Sequence, residues 1–341
     1  MKQNEFFERF ENFLHSLKFT DRIFLIFDKD VDGVSSGVVT LKAFSKFGIK
    51  FTEIIPNFFV EKKFVDLKNF DAGVIVDVPT PAIEKFLCRT RKKILVIDHH
   101  PSKDVQSKNI FYINPMLIRK ELYQPTSYTA YKLFSNFVNM EKEKWMAIVG
   151  TVGDYAFEDV KDLLQNKIKM KDKRNIWRTE YGRAATRLNA AIALYGPEKS
   201  FEILKTCTSL KNFFANKKIE DAHKKFSKEF WEANIKVKRN SEFYPFINLI
   251  FAQVQPKYAR ITSALTSKIS TEHHNTLVIL AEKSGKKYRI HGRMQNGMIH
   301  VGDLLKNFGG GGHRNAGACV IPAKDLPKFK EKLMQILKEK K

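Results

Sequence analysis

"RIFLIFDKDVDGVSSGVVTLKAFSKFG", residues 22–48, begins as an unbroken apolar run and changes character at Asp28. A run with no polar face belongs to a strand buried on both sides, as in parallel sheets. The segment from Gly33 reads as a helix, and Asp28, Asp30 and Asp32 lie at the join. Working outward, "FTEIIPN" (51–57) is a short strand, and "AGVIVDV" (72–78) and "KILVIDHH" (93–100) are two more buried strands. The helical "PAIEKFLCRT" (81–90) separates them. After "INP" (113–115) the pattern turns helical, in "SYTAYKLFSNFV" (127–138) and "KEKWMAIVGTVGDY" (142–155). Strands alternating with helices predict an α/β fold whose N-terminal part is a doubly wound, mainly parallel sheet. Ahead of it, Phe6, Phe10, Phe13, Leu14 and Leu17 share one face of a predicted surface helix, without the layout of a targeting peptide.

The 341 residues are enough for two domains. Residues 1–160 are expected to form the first and 161–238 a basic helical connector, densest in "KIKMKDKRNIWR" (167–178). Residues 239–341, where strands and helices mix again, are expected to form a smaller α/β domain. Lys and Arg number 23 against 21 Asp and Glu over 1–160, but 37 against 16 over 161–341. The two sums, +2 and +21, give the +23 of the whole chain. A bias confined to one half suits a polyanionic partner, above all nucleic acid. No apolar stretch approaches the roughly 20 residues that span a bilayer, so no membrane role is expected. Cys88, Cys207 and Cys319 form no spaced motif, which argues against disulfides and thiolate zinc and fits a reducing cytoplasm.

Ligands of an open parallel sheet bind beyond the carboxyl ends of its strands. There the sequence delivers Asp28, Asp30 and Asp32 after the first strand, Asp77 after another, and Asp98, His99 and His100 after a third. Asp154, read as following a glycine-containing turn in "GTVGDY", joins them. Singly each has a bland explanation: a turn, a helix cap, or a surface pair such as His273-His274. Jointly, each at the end of an apolar run, they converge. Clustered carboxylates repel one another unless a cation sits among them. Oxygen with imidazole suits Mn2+, or Mg2+. Two such ions about 3.5–4 Å apart form a standard phosphoester-cleaving centre.

This set, "DKDVDGVSSG", "VIVDV", "VIDHH" and "GTVGDY", followed by "FGGGGHRNAGA" (308–318), resembles the DHH phosphoesterase superfamily. The likeness is to its RecJ-like branch with a C-terminal DHHA1 domain, and to the compact archaeal RecJ homologues or oligoribonucleases more than to long bacterial RecJ. The resemblance implies that residues 1–160 are the DHH domain and 239–341 the DHHA1 domain. It implies that Asp28 and Asp30 hold one metal, that Asp77 bridges two, and that Asp32, His99 and Asp154 complete the second. His100 would face the attacking water or the scissile phosphate, with Asp98 acting behind it. Lys29, and Val-Pro-Thr after Asp77, depart from the usual pattern.

In the glycine run, Gly309, Gly310, Gly311 and Gly312 suit close approach of a phosphate to a nest of backbone N–H groups. No Lys-Ser/Thr follows, so it is not a P-loop. His313 and Arg314 favour phosphate contact over a plain turn, and Arg293 is a candidate bidentate phosphate ligand. Trp177, Phe213, Phe214 and Trp231 stand among basic residues and are read as core or as stacking platforms for single-stranded bases. The function expected is a metal-dependent exonuclease on single-stranded DNA or RNA, with a replication or repair protein as an additional partner. Two alternatives stay open. One is a phosphoesterase of very short oligonucleotides, cyclic dinucleotides or 3′-phosphoadenosine phosphate, and the other is a non-catalytic scaffold.

Overall fold

The computed structural model describes residues 3–56, 67–105, 107–156, 159–164, 173–312 and 314–339. Two compact units divide the chain, Met1–His223 and Lys224–Lys341. In the first, α1 (Gln3–Ser16) precedes β1 (Ile23–Phe27), α2 (Val31–Lys46), β2 (Glu53–Pro56), β3 (Ala72–Val76), α3 (Thr80–Arg89), β4 (Lys93–Ile97) and β5 (Ile110–Ile113). Then come α4 (Thr126–Ser135), α5 (Lys144–Gly153), α6 (Lys161–Leu164), α7 (Glu180–Thr206, kinked at Gly196) and α8 (Leu210–Phe214).

The five strands pair in parallel in the order β2-β1-β3-β4-β5. Every residue of β1 and β3 is buried, which is why both read as unbroken apolar runs. Phe24, Ile26, Ile75, Ile94 and Val96 form one face, closed by Ile83 and Leu87 of α3. Phe27 points the other way, under α2, where Gly37 comes close to its ring. On that side Phe10 of α1 packs against Phe44 and Phe134, and Phe13 against Phe111. Phe10 and Phe13 are both fully buried, each contributing on the order of 1.5–3 kcal/mol. Helices on both faces of a parallel sheet are the doubly wound arrangement.

Three local features differ from expectation. A fifth strand, β5, occupies "IFYI" (110–113), a four-residue run too short for any period to announce it. Helix α2 begins at Val31, so Asp32 belongs to a first turn and not to the loop after β1. Helix α5 runs through "GTVG", so Asp154 caps a helix instead of following a turn. Gly150 is there because a Cβ would lie 2.4 Å from the Ser127 hydroxyl, not because the chain reverses.

The second unit takes most of α9 (Lys217–Asn240), so the helices read as a connector are shared between the two units. It continues through β6 (Glu242–Tyr244), β7 (Leu249–Val254), α10 (Ile261–Glu272), β8 (Leu277–Ser284), β9 (Lys287–Arg293), α11 (Val301–Lys306), β10 (Gly311–Gly312), β11 (Ala316–Pro322) and α12 (Leu326–Glu339). Its sheet runs β10-β11-β9-β8-β7-β6; β7 and β8 pair in parallel and the other neighbours antiparallel. Leu304, Leu305, Phe329 and Leu333 close one face over Leu249, Phe251, Ile279 and Ile290.

Of the four aromatics among basic residues, Phe213 is buried and Phe214 half-buried, while Trp177 and Trp231 are 41% and 53% exposed. The His273-His274 pair is exposed, and Cys88, Cys207 and Cys319 are free thiols. Among the described residues no helix is long and apolar enough to cross a membrane. The charge cluster at 167–178 falls within the described residues only from Lys173, and His313 lies outside them.

Candidate metal centre

Strand order reverses direction between β1 and β3, one neighbour leading to β2 and the other to β4. In open α/β sheets that switch point is where ligands bind. Asp28 and Asp30 follow β1 and Asp77 follows β3, so three carboxylates flank it. Their oxygens come within 4.8 Å of one another. Two further groups meet the same criterion, Asp32 with His99 and Asp154, and Asp77 with His99 and His100. Asp77 and His99 each belong to two groups, which makes the cluster continuous.

Each side chain is fixed by an identifiable contact. Asp30 is the N-cap of α2 and accepts a hydrogen bond from Gly33 N at 2.9 Å. Helix α4 follows a proline and has no side-chain cap of its own. Asp32, almost fully buried, supplies one from α2, accepting from Thr126 N at 2.7 Å and Ser127 N at 3.0 Å. Asp77 sits in left-handed backbone at φ 62, a region that an ordinary L residue enters at a cost. Its N–H donates to Ile97 O at 2.9 Å, and its carboxylate accepts from Thr126 Oγ1 at 2.8 Å. Asp154 accepts from the Tyr123 hydroxyl at 2.7 Å.

His99 is 5% exposed, with Nε2 3.6 Å from Asp77 and Nδ1 3.5 Å from Asp154. Its ring stacks on Tyr123 at 5.4 Å between centroids. His100 is more open, and its Nδ1 lies 2.7 Å from fully buried Asp98. Behind Asp98, the Thr80 hydroxyl donates to the Tyr112 hydroxyl, and Asn114 donates both to that oxygen and to the carbonyl of His100. Tyr112, Asn114, Thr126 and Tyr123 were not singled out from sequence. Thr, Tyr and Asn carry no periodicity that distinguishes a packing role from a positioning one.

The electrostatics show what the cluster lacks. Burial, reinforced by the Asp154 charge, raises Asp32 to about 6. Burial with Asp30 nearby raises Asp154 to about 7, and burial with neighbouring carboxylates holds Asp77 well above the ordinary range. Burial lowers His99, so it is a neutral imidazole, and its Nδ1 is buried with no hydrogen-bond partner. Burial pulls His100 down too, but the hydrogen bond and charge of Asp98 outweigh it and the ring is raised. Crowded carboxylates that resist ionisation, beside an orphaned neutral imidazole, fit a hard divalent cation. A bound cation would return those carboxylates to the charged state.

The second unit carries the glycine run. Helix α11 closes with Gly309 N donating to Lys306 O at 3.1 Å and Gly310 N to Leu305 O at 3.0 Å, with Gly309 at φ 73. Those two N–H groups are therefore used by the helix end and are not available to a phosphate nest. Gly311 and Gly312 form β10, opposite Ala318 and Gly317. A Cβ at Gly310 would sit 2.2 Å from Ala318 O, and one at Gly312 2.3 Å from Ala316 O. At Gly311 a Cβ would meet nothing within 4 Å. Arg293 pairs with Ala316 in register beside this hairpin, and Arg314 lies in the turn of it. Arg314 O accepts from Val301 N at 2.8 Å. His291, on the same strand as Arg293, has its Nε2 3.3 Å from Glu282.

A doubly wound sheet thus carries, at its switch point, a carboxylate–imidazole cluster that could hold a metal ion. Residues 22–152 match the DHH family, N-terminal domain, and residues 247–339 match the DHHA1 domain. The chain therefore carries a DHH domain followed by a DHHA1 domain. Among solved structures it is similar to RecJ of Thermus thermophilus in complex with Mn2+, at TM-score 0.78 and 16% identity. That match covers 99% of this chain and 55% of the other. It is also similar to an exonuclease RecJ bound to manganese, at TM-score 0.72 and 17% identity, covering 99% and 95% of the two chains. At these identities the likeness is one of fold. A-adding tRNA nucleotidyltransferase of Aquifex aeolicus (strain VF5) is 31% identical over 105 residues, 31% of this chain and 12% of that protein.

Proposed function

We propose that the chain is a metal-dependent exonuclease that removes 5′-mononucleotides from an end of single-stranded DNA or RNA, with Mn2+ as the working ion and Mg2+ as a substitute. The observation carrying this reading is the joined cluster at the switch point, whose buried carboxylates and orphaned imidazole need a cation. Asp28, Asp30 and Asp77 would hold one ion, and Asp32, His99 and Asp154 another. Bound ions would polarise the phosphate and lower the pKa of water at the site. The remaining work falls to side chains. His100, 27% exposed and raised by Asp98, carries positive charge toward the phosphate, where charge develops in the transition state. Asp98 orients that ring. Tyr123 holds Asp154, and Thr126 holds Asp77.

The excess of basic over acidic residues after position 160 favours a polymer over a small substrate, since each phosphate neutralised adds salt-sensitive affinity. In the second unit, Arg293, His313, Arg314 and the open face of Gly311 are the groups that bind phosphate. The three free thiols fit a cytoplasmic location, and a replication or repair protein is a compatible partner. The test is digestion of 5′- and 3′-labelled single-stranded DNA and RNA of graded length with Mn2+, beside Asp30→Ala and His99→Ala. Progressive shortening by the wild type and none by either variant is expected. Cleavage confined to dinucleotides would replace the polymer substrate with a small one, and retained cleavage in both variants would remove the centre.

A further inference from the structure

Helix α5 delivers Asp154 to the cluster and ends in a left-handed closure. Tyr155 N donates to Val152 O at 3.1 Å and Ala156 N to Thr151 O at 3.2 Å, with Tyr155 at φ 57. Glycine is the usual occupant of that position, because a Cβ strains left-handed backbone. This chain follows the rule elsewhere. Helix α2 closes the same way on Gly48 at φ 76, and α11 on Gly309 at φ 73. Beside Asp154 it places a bulky aromatic instead. Tyr155 is 38% exposed.

The Tyr155 ring lies nearly parallel to that of Trp177, at 6.0 Å between centroids and 14° between planes. Trp177 is itself 41% exposed, although its neighbour Ile176 is 1% exposed and anchors the turn. The Thr179 hydroxyl and N–H both donate to Ile176 O, which fixes that turn against the start of α7. The result is a two-ring ledge, open to solvent, one residue from a carboxylate of the cluster.

We propose that this ledge binds the nucleobase of the nucleotide whose phosphate is cleaved, by stacking. The proposal rests on the nuclease reading and deepens it. A flat aromatic surface beside a phosphate-cleaving centre gives the enzyme a grip that any base satisfies, because every base offers a π-face. It also supplies a reason to tolerate a strained tyrosine where glycine would relax the helix end.

The test compares oligonucleotides with intact or abasic residues at both termini. Wild type is expected to show a KM roughly 10- to 100-fold lower for intact ends. Trp177→Ala and Tyr155→Gly should raise the intact-end KM to the abasic value, while Trp177→Phe keeps most of the difference. Tyr155→Gly should not lower Tm, because it removes the strain along with the ring. Equal KM values for the two substrates in wild type, discrimination surviving in Trp177→Ala, or a lowered Tm with both substrates equally impaired in Tyr155→Gly would each overturn the proposal. Absence of any oligonucleotide cleavage would sink the nuclease reading instead. The ledge is then judged by quenching of tryptophan emission by a nucleoside monophosphate. Quenching that disappears in Trp177→Phe supports it, and quenching absent from wild type or unchanged in the variant overturns it.

Discussion

Helices α5 and α11 close with the same pair of backbone hydrogen bonds, yet one ends on Tyr155 beside a cluster of acids and the other on Gly309 within a run of glycines. At α11 the local chemistry is relaxed. Gly309 fits its left-handed backbone, and Gly310 and Gly312 leave room for the carbonyls of β11. At α5 almost nothing is relaxed. Asp77 and Tyr155 hold positive φ, three buried carboxylates are pushed up in pKa, and a buried imidazole nitrogen has no hydrogen-bond partner. Strain and uncompensated charge persist only where surrounding structure enforces them, and they gather where chemistry is done. The first region therefore has the makings of a cation site, while most of the second is organised around its own hairpin.

The sharpest way to break that contrast is to remove the shared carboxylate. Asp77→Asn should reduce Mn2+-dependent cleavage by about 10³-fold or more, measured as initial rate on a labelled oligonucleotide. The metal-free variant should also be more stable than wild type, because one of the mutually repelling groups is gone. Asp98→Asn alters the partner that orients the His100 ring, and should cost about 10–100-fold in rate. A larger loss would move Asp98 into the cluster itself. In the glycine run, Gly310→Ala should destabilise by about 2 kcal/mol through overlap with Ala318 O. Gly311→Ala should leave Tm unchanged while raising KM several-fold. Equal loss of stability in both would mean that Gly311 too serves only the hairpin.

The last effect is electrostatic. Asp32 and Asp154 are raised to about 6 and about 7 in the folded chain, against about 3.9 unfolded. Between those values the folded state holds protons that the unfolded state has released. Stability of the metal-free protein should therefore fall as pH rises from about 4 to about 7 and level off above that. Saturating Mn2+ should flatten the slope. Thermal melts with and without a chelator across that range measure it.

The strands bearing the cluster were legible because burial on both faces leaves no polar residue to interrupt β1, β3 or β4. Asp28, Asp77, Asp98 and His99 were legible because they end or directly follow such a run. Asp32 was readable as a member but not as the cap of a distant helix, since that role depends on α4 lying across it. Gly150 suggested a turn because a glycine needed for close helix contact looks the same in sequence as one needed for reversal. In "GGGGHR" the composition pointed to a nest, whereas two of the donors are taken by the end of α11. Hydrogen-bond accounting of that kind requires the fold. Tyr155 gave no signal at all, because its meaning lies in a backbone angle.

Titration of the metal-free protein with Mn2+ by calorimetry, wild type beside Asp77→Asn, probes the cluster without reference to any substrate. Two ions bound per wild-type chain, with binding weakened at least about 100-fold in the variant, is the predicted result. A wild type that takes up no Mn2+ at millimolar concentration, or a variant that binds it equally well, would contradict the assignment of these side chains to a metal centre.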